Sequence, residues 1–249
     1  MAQLACGARL ERSTSCGDNH ASPPLAARTG DGNMTTRTPR GFDLAVAHAH
    51  LRRSDARLAR WMRRIGPLEF DFSARFNSVD ALARSILHQQ LSGKAAATIT
   101  ARVVALMPRA QISAAGLDAL PDEALRAAGV SGNKLAALRD LGARAQAGTI
   151  PGAAALERMS DAAIIEALTP VRGIGRWTVE MLLMFRLGRP DVLPLDDLGV
   201  RQGAALVDEL DRPPSARALA ERGACWAPYR SLAGFYLWRA VAHARGESA

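Results

Sequence analysis

Two neighbouring carboxylates are the first candidates for chemistry. In Asp191-Val-Leu-Pro194-Leu-Asp196-Asp197-Leu-Gly-Val-Arg201-Gln202, a proline loop delivers Asp196 and Asp197 to the start of an amphipathic helical segment. An aspartate at such a place can cap the helix by accepting its free amides. Two in succession suggest a division of labour, one structural and one chemical. A carboxylate at a helix N-terminus stays ionised, because the helix dipole favours the anion. Such a group can stabilise a developing cation or take a proton from water.

The second candidate lies upstream, in Leu168-Thr-Pro170-Val-Arg-Gly173-Ile174-Gly175-Arg176-Trp177-Thr178. Gly173 and Gly175 flank one apolar residue between two helical segments. Glycine allows a tight turn and a close backbone approach to a ligand. Ile174 can plug the turn into a core. The helix that follows then starts with free N–H groups, which bind an anion well. A plain helix–helix connection explains Gly-x-Gly equally well.

Helices must position both features. From Gly41 onward alanine and leucine dominate, and no sustained two-residue alternation occurs. The pattern predicts an all-α chain. A first helix is expected over 43–65, its back end carrying Arg52, Arg53, Arg57, Arg60, Arg63 and Arg64 as a solvated face, with direct DNA contact as the alternative. A second is expected from Asn77 or Ser78 to Gln90, and a third over 92–107, capped by Ser92 and stopped by Pro108. Further helices are expected after Pro121, from Ser131 to Gly148, from Ser160 to Leu168, and over 175–187, 197–208, 215–223 and 229–243. Residues 1–40 read as a disordered leader, rich in Ser, Thr, Gly, Asn and Pro, with no signal-peptide core. Met34 offers an alternative start, so residues 1–33 are read as a mis-assigned translation start.

Charge narrows the partners. The 249 residues hold 32 Lys+Arg against 24 Asp+Glu, a net charge of +8, and only Lys94 and Lys134 are lysines. Such a chain favours polyanions, nucleic acid first. The excess is uneven: residues 1–66 hold 11 arginines and 5 acids, residues 67–249 hold 21 basic and 19 acidic residues. A basic tail on an ordinary enzyme is the competing explanation. No run of about 18 apolar residues exists, which excludes a helical membrane span. The three cysteines, Cys6, Cys16 and Cys225, form neither a disulfide framework nor a four-cysteine cluster, so no iron–sulfur centre is expected. There is no Walker loop, dinucleotide fingerprint or zinc spacing.

Gly-Ile-Gly-Arg-Trp-Thr followed by Leu-Pro-Leu-Asp-Asp-Leu-Gly-Val-Arg-Gln closely resembles the helix-hairpin-helix DNA glycosylases, specifically the 3-methyladenine DNA glycosylase II family. Three more segments are similar: Ser85-Ile-Leu-His88-Gln89-Gln90-Leu91-Ser92-Gly93-Lys94 to the family's DNA wedge, Gly129-Val-Ser-Gly-Asn-Lys134 to its mid-chain helix start, and Trp226 to Trp238 to its C-terminal helix. The likeness runs from about residue 43 to 243. It implies two helical subdomains flanking a DNA-binding cleft. The expected division is 41–70 as an N-terminal helix packing on the C-terminal subdomain, 71–165 as a helical subdomain with the wedge, and 166–245 as the hairpin and catalytic subdomain. This is the compact form, without the family's occasional N-terminal β-rich domain.

The resemblance also implies roles. The family's catalytic aspartate falls on Asp197, leaving Asp196 as cap or loop-holder. Trp177 and Trp238 fall on aromatic pocket positions, where a cationic base stacking on an indole gains roughly 1–2 kcal/mol. Met181 lies one turn after Trp177, placed for the pocket floor or for the core. Gly173, Gly175, Arg176, Gln89, Gln90, Leu91, Ser92, Arg230 and Ser231 are the expected DNA contacts, with Gln90 or Leu91 as the wedge. Other members place an apolar residue where Gln90 stands. His88 can touch DNA or be structural; Tyr229, Phe235 and Tyr236 read as structural. In relatives that cut the backbone a hairpin lysine attacks the sugar; here that position is Trp177, and no lysine follows Lys134.

The implied activity is therefore monofunctional: an alkylated purine is flipped out and hydrolysed off, starting base excision repair. The implied partner is double-stranded DNA containing alkylated bases, met by a monomer in the cytoplasm, at the nucleoid in a bacterium. No cofactor is implied beyond a monovalent cation at the hairpin backbone, and no side-chain metal ligands. The alternatives are the same fold acting on deaminated or etheno-adduct bases, and a non-catalytic DNA-binding hairpin module.

Overall fold

A computed structural model describes residues 40–247. The expected leader therefore lies almost wholly outside the described residues. The helices are α1 (Leu44–Ser54), α2 (Ala56–Ile65), α3 (Ser78–His88), α4 (Gly93–Ala105), α5 (Ala114–Ala119), α6 (Asp122–Ala127), α7 (Gly132–Gln146), α8 (Ala153–Arg158), α9 (Asp161–Leu168), α10 (Arg176–Phe185), α11 (Leu198–Asp208), α12 (Ala216–Arg222) and α13 (Arg230–Ala244). No strand occurs among the described residues, so the fold is all-α. None of these helices is long and apolar enough to cross a membrane.

Local chemistry sets most helix ends. The side chains of Asn77, Ser92 and Ser160 cap α3, α4 and α9 by accepting amides three residues on. Gly148, at φ +72°, follows the end of α7. The single helix expected over 43–65 is instead two. Asp55 adopts an extended conformation between them, and its Oδ1 caps α2 by accepting from the amides of Arg57 and Leu58, both at 3.0 Å. Its Oδ2 accepts from the indole of fully buried Trp226 at 2.7 Å and from Arg222. Burial pushes the Asp55 carboxyl up, but these donors outweigh it and hold it below the usual range. The short helices α5 and α8, six residues each, span fewer than two turns and have no proline directly before them, as Pro121 stands before α6, so they escape the sequence reading.

The helices enclose two apolar cores. The first gathers α3 to α10, with Leu82, Ile86, Leu138, Ile164, Leu168 and Leu183 fully buried. The second gathers α1, α2 and α11 to α13 around Trp226, Tyr236 and Leu237. The hairpin helices α9 and α10 share the first core, which extends to Val192. Val179, Leu182, Leu183, Met184 and Leu187 are the buried members of the 179–187 stretch in that core. Trp238 packs against both cores, and Phe235 of α13 reaches across into the first. The exposed arginines of α1 and α2 form a solvated face, with Arg57 near Asp208 at 3.5 Å.

Candidate active site

The α9–α10 turn, α11 and α13 converge on one carboxylate. Asp197 is the N-cap of α11: its Oδ1 accepts from the Val200 amide at 2.8 Å. The same oxygen accepts from the Trp238 indole at 2.8 Å, and Oδ2 accepts from the Trp177 indole at 2.8 Å. Three donors thus orient one half-buried carboxylate. The expected split between the two aspartates does not occur. Asp196 is exposed and caps nothing, while Asp197 both caps the helix and holds the indoles. One residue does both because a carboxylate has two oxygens and room for several donors.

Small size at Gly199 permits this arrangement. A Cβ there would lie 2.9 Å from Trp238 Cδ1, closer than real contacts allow, and 3.1 Å from Asp197 Oδ1. Trp238 also stacks on Phe185, with centroids 5.8 Å apart and ring planes at 18°. Met181 is half-buried, one turn after Trp177, and packs on the first core.

The hairpin presents its backbone outward. Gly173 takes φ +78°, a conformation few other residues adopt, and Ile174 is buried beneath the turn. Gly175 and Arg176 are exposed, and the first amides of α10 have no side-chain cap. A Cβ built on Gly175 meets nothing within 4 Å. Free amides and a positive dipole end make this a port for an anion. Arg176 beside it bonds Glu180 at 2.9 Å, one turn along α10. Glu180 is buried, and its carboxyl is pushed up, chiefly by burial, with Asp196 and Asp197 adding to the effect against the pull of Arg176.

The wedge segment follows α3. Gln90 is exposed in a left-handed conformation, φ +56°, and Leu91 beside it is 40% exposed. Two neighbours expected at DNA also make contacts within the protein. The Gln89 amide donates to the Gly173 carbonyl at 2.7 Å, and the Ser92 hydroxyl caps α4. Half-buried His88 has its pKa lowered by burial and by Arg84 and Lys134.

Arg230 and Ser231, also expected at phosphate, hold the loop before α11. Ser231 is completely buried; its Oγ donates to the Arg189 carbonyl at 2.6 Å and accepts from the Val192 amide at 2.9 Å. Arg230 pairs with Asp191 through two bonds, at 2.6 and 2.8 Å. Together they pin the loop that carries Asp197. Sequence reasoning missed Asp191, Gly199 and Glu180 as members of the site. Only Glu180 had a signal, its four-residue spacing from Arg176.

Among the described residues no group of three or more His, Cys, Asp or Glu could hold a metal. At the hairpin, the carbonyls of Leu168, Val171 and Gly173 each accept one hydrogen bond, from Val171, Ile174 and Gln89 respectively.

A family model described as HhH-GPD superfamily base excision DNA repair protein matches residues 83–228. The chain is 34% identical over 198 residues to DNA-3-methyladenine glycosylase 1 of Schizosaccharomyces pombe, covering 79% of this chain and 87% of that protein. Its fold is similar to the structure of S. pombe 3-methyladenine DNA glycosylase (Mag1) in complex with abasic DNA, with a TM-score of 0.72, 34% identity, and 78% and 95% of the two chains covered. It is similar also to the crystal structure of DNA-3-methyladenine glycosidase from Bacillus halodurans, with a TM-score of 0.70, 35% identity, and 80% and 89% covered. Hairpin, capped aspartate and indoles thus lie in a chain that belongs to the HhH-GPD superfamily of base excision DNA repair proteins.

Proposed function

We propose that this protein is a monofunctional DNA glycosylase that removes alkylated purines of the 3-methyladenine type from duplex DNA, the first step of base excision repair. The observation that carries the reading is the carboxylate of Asp197, held by two indoles and a helix N-terminus one element after the hairpin. The names of the relatives support the substrate class.

The chemistry follows from charge. An alkylated purine bears a positive charge and leaves as a neutral base, taking the electron pair of the glycosidic bond. The sugar left behind has oxocarbenium character, and Asp197 stabilises it electrostatically. Water then attacks the anomeric carbon and gives its proton to the same carboxylate. No second acid is needed, because the leaving group is already activated. The electron-rich faces of Trp177 and Trp238 suit a flipped cationic base, with Met181 beneath. The hairpin amides, with Arg176, grip a phosphate, and Gln90 or Leu91 fills the gap left in the duplex. Trp177 occupies the position of the attacking lysine of backbone-cutting relatives, so the backbone stays intact and an abasic site is left. The enzyme acts as a monomer, in the cytoplasm.

The test is direct. Methylated duplex DNA is incubated with the protein and every released base is identified by mass. Release of methylated purines with an unbroken backbone is the expected result; no released base, or strand breaks before alkali, overturns the reading. Binding should weaken with salt at a log–log slope of about −4 to −5, as expected for roughly 4–6 neutralised phosphates.

A further inference from the structure

The phosphate port and the wedge lie 84 residues apart in sequence, yet one side chain joins them: Gln89 Nε2 donates to the Gly173 carbonyl at 2.7 Å. Behind both runs α7. Lys134 reaches from it to the Leu87 carbonyl at 2.7 Å, satisfying the end of α3 just before the wedge turn. Asp140 accepts from the Arg172 amide at 2.8 Å, at the start of the hairpin turn, and is steadied by Arg144 at 2.9 Å. Between them buried Ala137 backs Gly173, where an added Cβ would stand 3.3 Å from the alanine methyl. Residues 134, 137 and 140 step by three, so they share a helix face about 120° wide. One rigid face therefore contacts the wedge side and the hairpin side, and Gln89 closes the triangle.

We propose that this face of α7, with Gln89, is a spacer that fixes the distance between phosphate grip and wedge, and that Gln89 and Lys134 are positioning residues for base extrusion. The inference rests on the glycosylase reading and deepens it. A protein that holds a phosphate at one point and inserts a side chain at another must keep the two in register, since misplacement of about 1 Å can cost up to 10²-fold in rate. A bond through the Gln89 amide does this without touching DNA. Its neighbour Gln90, forced into the left-handed region, is thereby aimed outward.

The experiment uses the full chain with Gln89→Ala, Gln89→Glu and Lys134→Met. Three quantities are read: affinity for undamaged duplex, 2-aminopurine fluorescence in a duplex carrying a tetrahydrofuran abasic analogue, and single-turnover release of bases from methylated duplex. For Gln89→Ala, undamaged affinity should stay within about twofold, since phosphate contacts remain. Base release and the fluorescence change should fall by about tenfold, the worth of one hydrogen bond expressed in a rate. Lys134→Met should behave alike. Gln89→Glu separates a positioning role from simple packing: an ionised carboxylate repels the Gly173 carbonyl, whereas a protonated one donates to it. Its activity relative to wild type should therefore rise as pH falls from 8 toward about 5, near the ordinary glutamate pKa. Wild-type release by Gln89→Ala, an undamaged affinity that falls as far as release does, or a flat pH ratio for Gln89→Glu would each overturn the spacer. If the wild type releases no base, the glycosylase reading fails, and fluorescence on the abasic duplex still decides the spacer.

Discussion

Replacing Asp197 with Asn removes a charge and also upsets a count of donors. Three N–H groups point at the carboxylate: Val200 N and Trp238 Nε1 at Oδ1, and Trp177 Nε1 at Oδ2. An asparagine has one oxygen. Placing it at Oδ1 keeps two of the bonds; placing it at Oδ2 keeps one, so the first orientation wins. The amide NH2 then faces the Trp177 indole, donor against donor. Losing one charge-assisted bond costs about 1–2 kcal/mol in a half-exposed setting, and losing the charge at the helix start about 0.3–1 kcal/mol. The cap itself survives, so the further cost of about 1 kcal/mol for alanine is avoided. A total near 2 kcal/mol lowers the melting temperature by about 4–8 °C for a chain of this size. Catalysis should suffer far more, by roughly 10²–10³-fold, the usual loss on removing one electrostatic stabiliser. Single-turnover release from methylated duplex and calorimetry measure the two effects separately. Affinity for duplex should hold or tighten, because a carboxylate near DNA is repelled by phosphate. Wild-type release by Asp197→Asn refutes the reasoning, as does a larger loss for Asp196→Asn, whose side chain is exposed and caps no helix.

Gly175→Val should fold, since its Cβ has open space, with a capping loss of about 1 kcal/mol. Its duplex affinity should drop at least tenfold, and unchanged affinity in a titration would mean the turn is only a connector. Gly199→Ala should push the Trp238 indole off Asp197. Overpacking of this kind costs about 1–3 kcal/mol, and base release should fall while undamaged affinity stays; full activity would remove Trp238 from the site. Glu180→Gln tests the raised carboxyl. A raised folded pKa means that wild-type stability is lost as pH rises through it, and the glutamine mimics the protonated state. The variant should melt higher than wild type at pH 7.5, the advantage vanishing below the ordinary glutamate pKa of about 4.3. A pH-independent difference would contradict the burial argument.

What the sequence makes legible here is what is local. Asn77, Ser92 and Ser160 read as caps because the amides they accept lie three residues on. The hairpin and aspartate segments, read as motifs, point to the family to which the chain belongs. The break at Asp55 is only half legible: its cap on Leu58 is local, but the Trp226 and Arg222 donors that hold its other oxygen lie about 170 residues downstream. The loop contacts of Arg230 and Ser231 are hidden in the same way: an arginine and a serine at a helix start suit phosphate, and Asp191 and Val192 come beside them only in the fold. The double duty of Asp197 needed Trp177 and Trp238 to arrive from opposite sides, 20 and 41 residues away.

Two indoles on one carboxylate give the protein an optical reporter. Of its four tryptophans, Trp177 and Trp238 are bound to Asp197, Trp226 is sealed in the second core, and Trp61 lies half-buried beneath Arg64 at 5.3 Å. Half of the indoles therefore sit at the candidate centre. An indole whose N–H faces a carboxylate emits differently once that bond is stretched or a flat ring slides over its face. Stopped-flow mixing with damaged oligonucleotides can thus follow arrival, capture and departure of the base without any attached dye, while Trp226 supplies a steady internal reference.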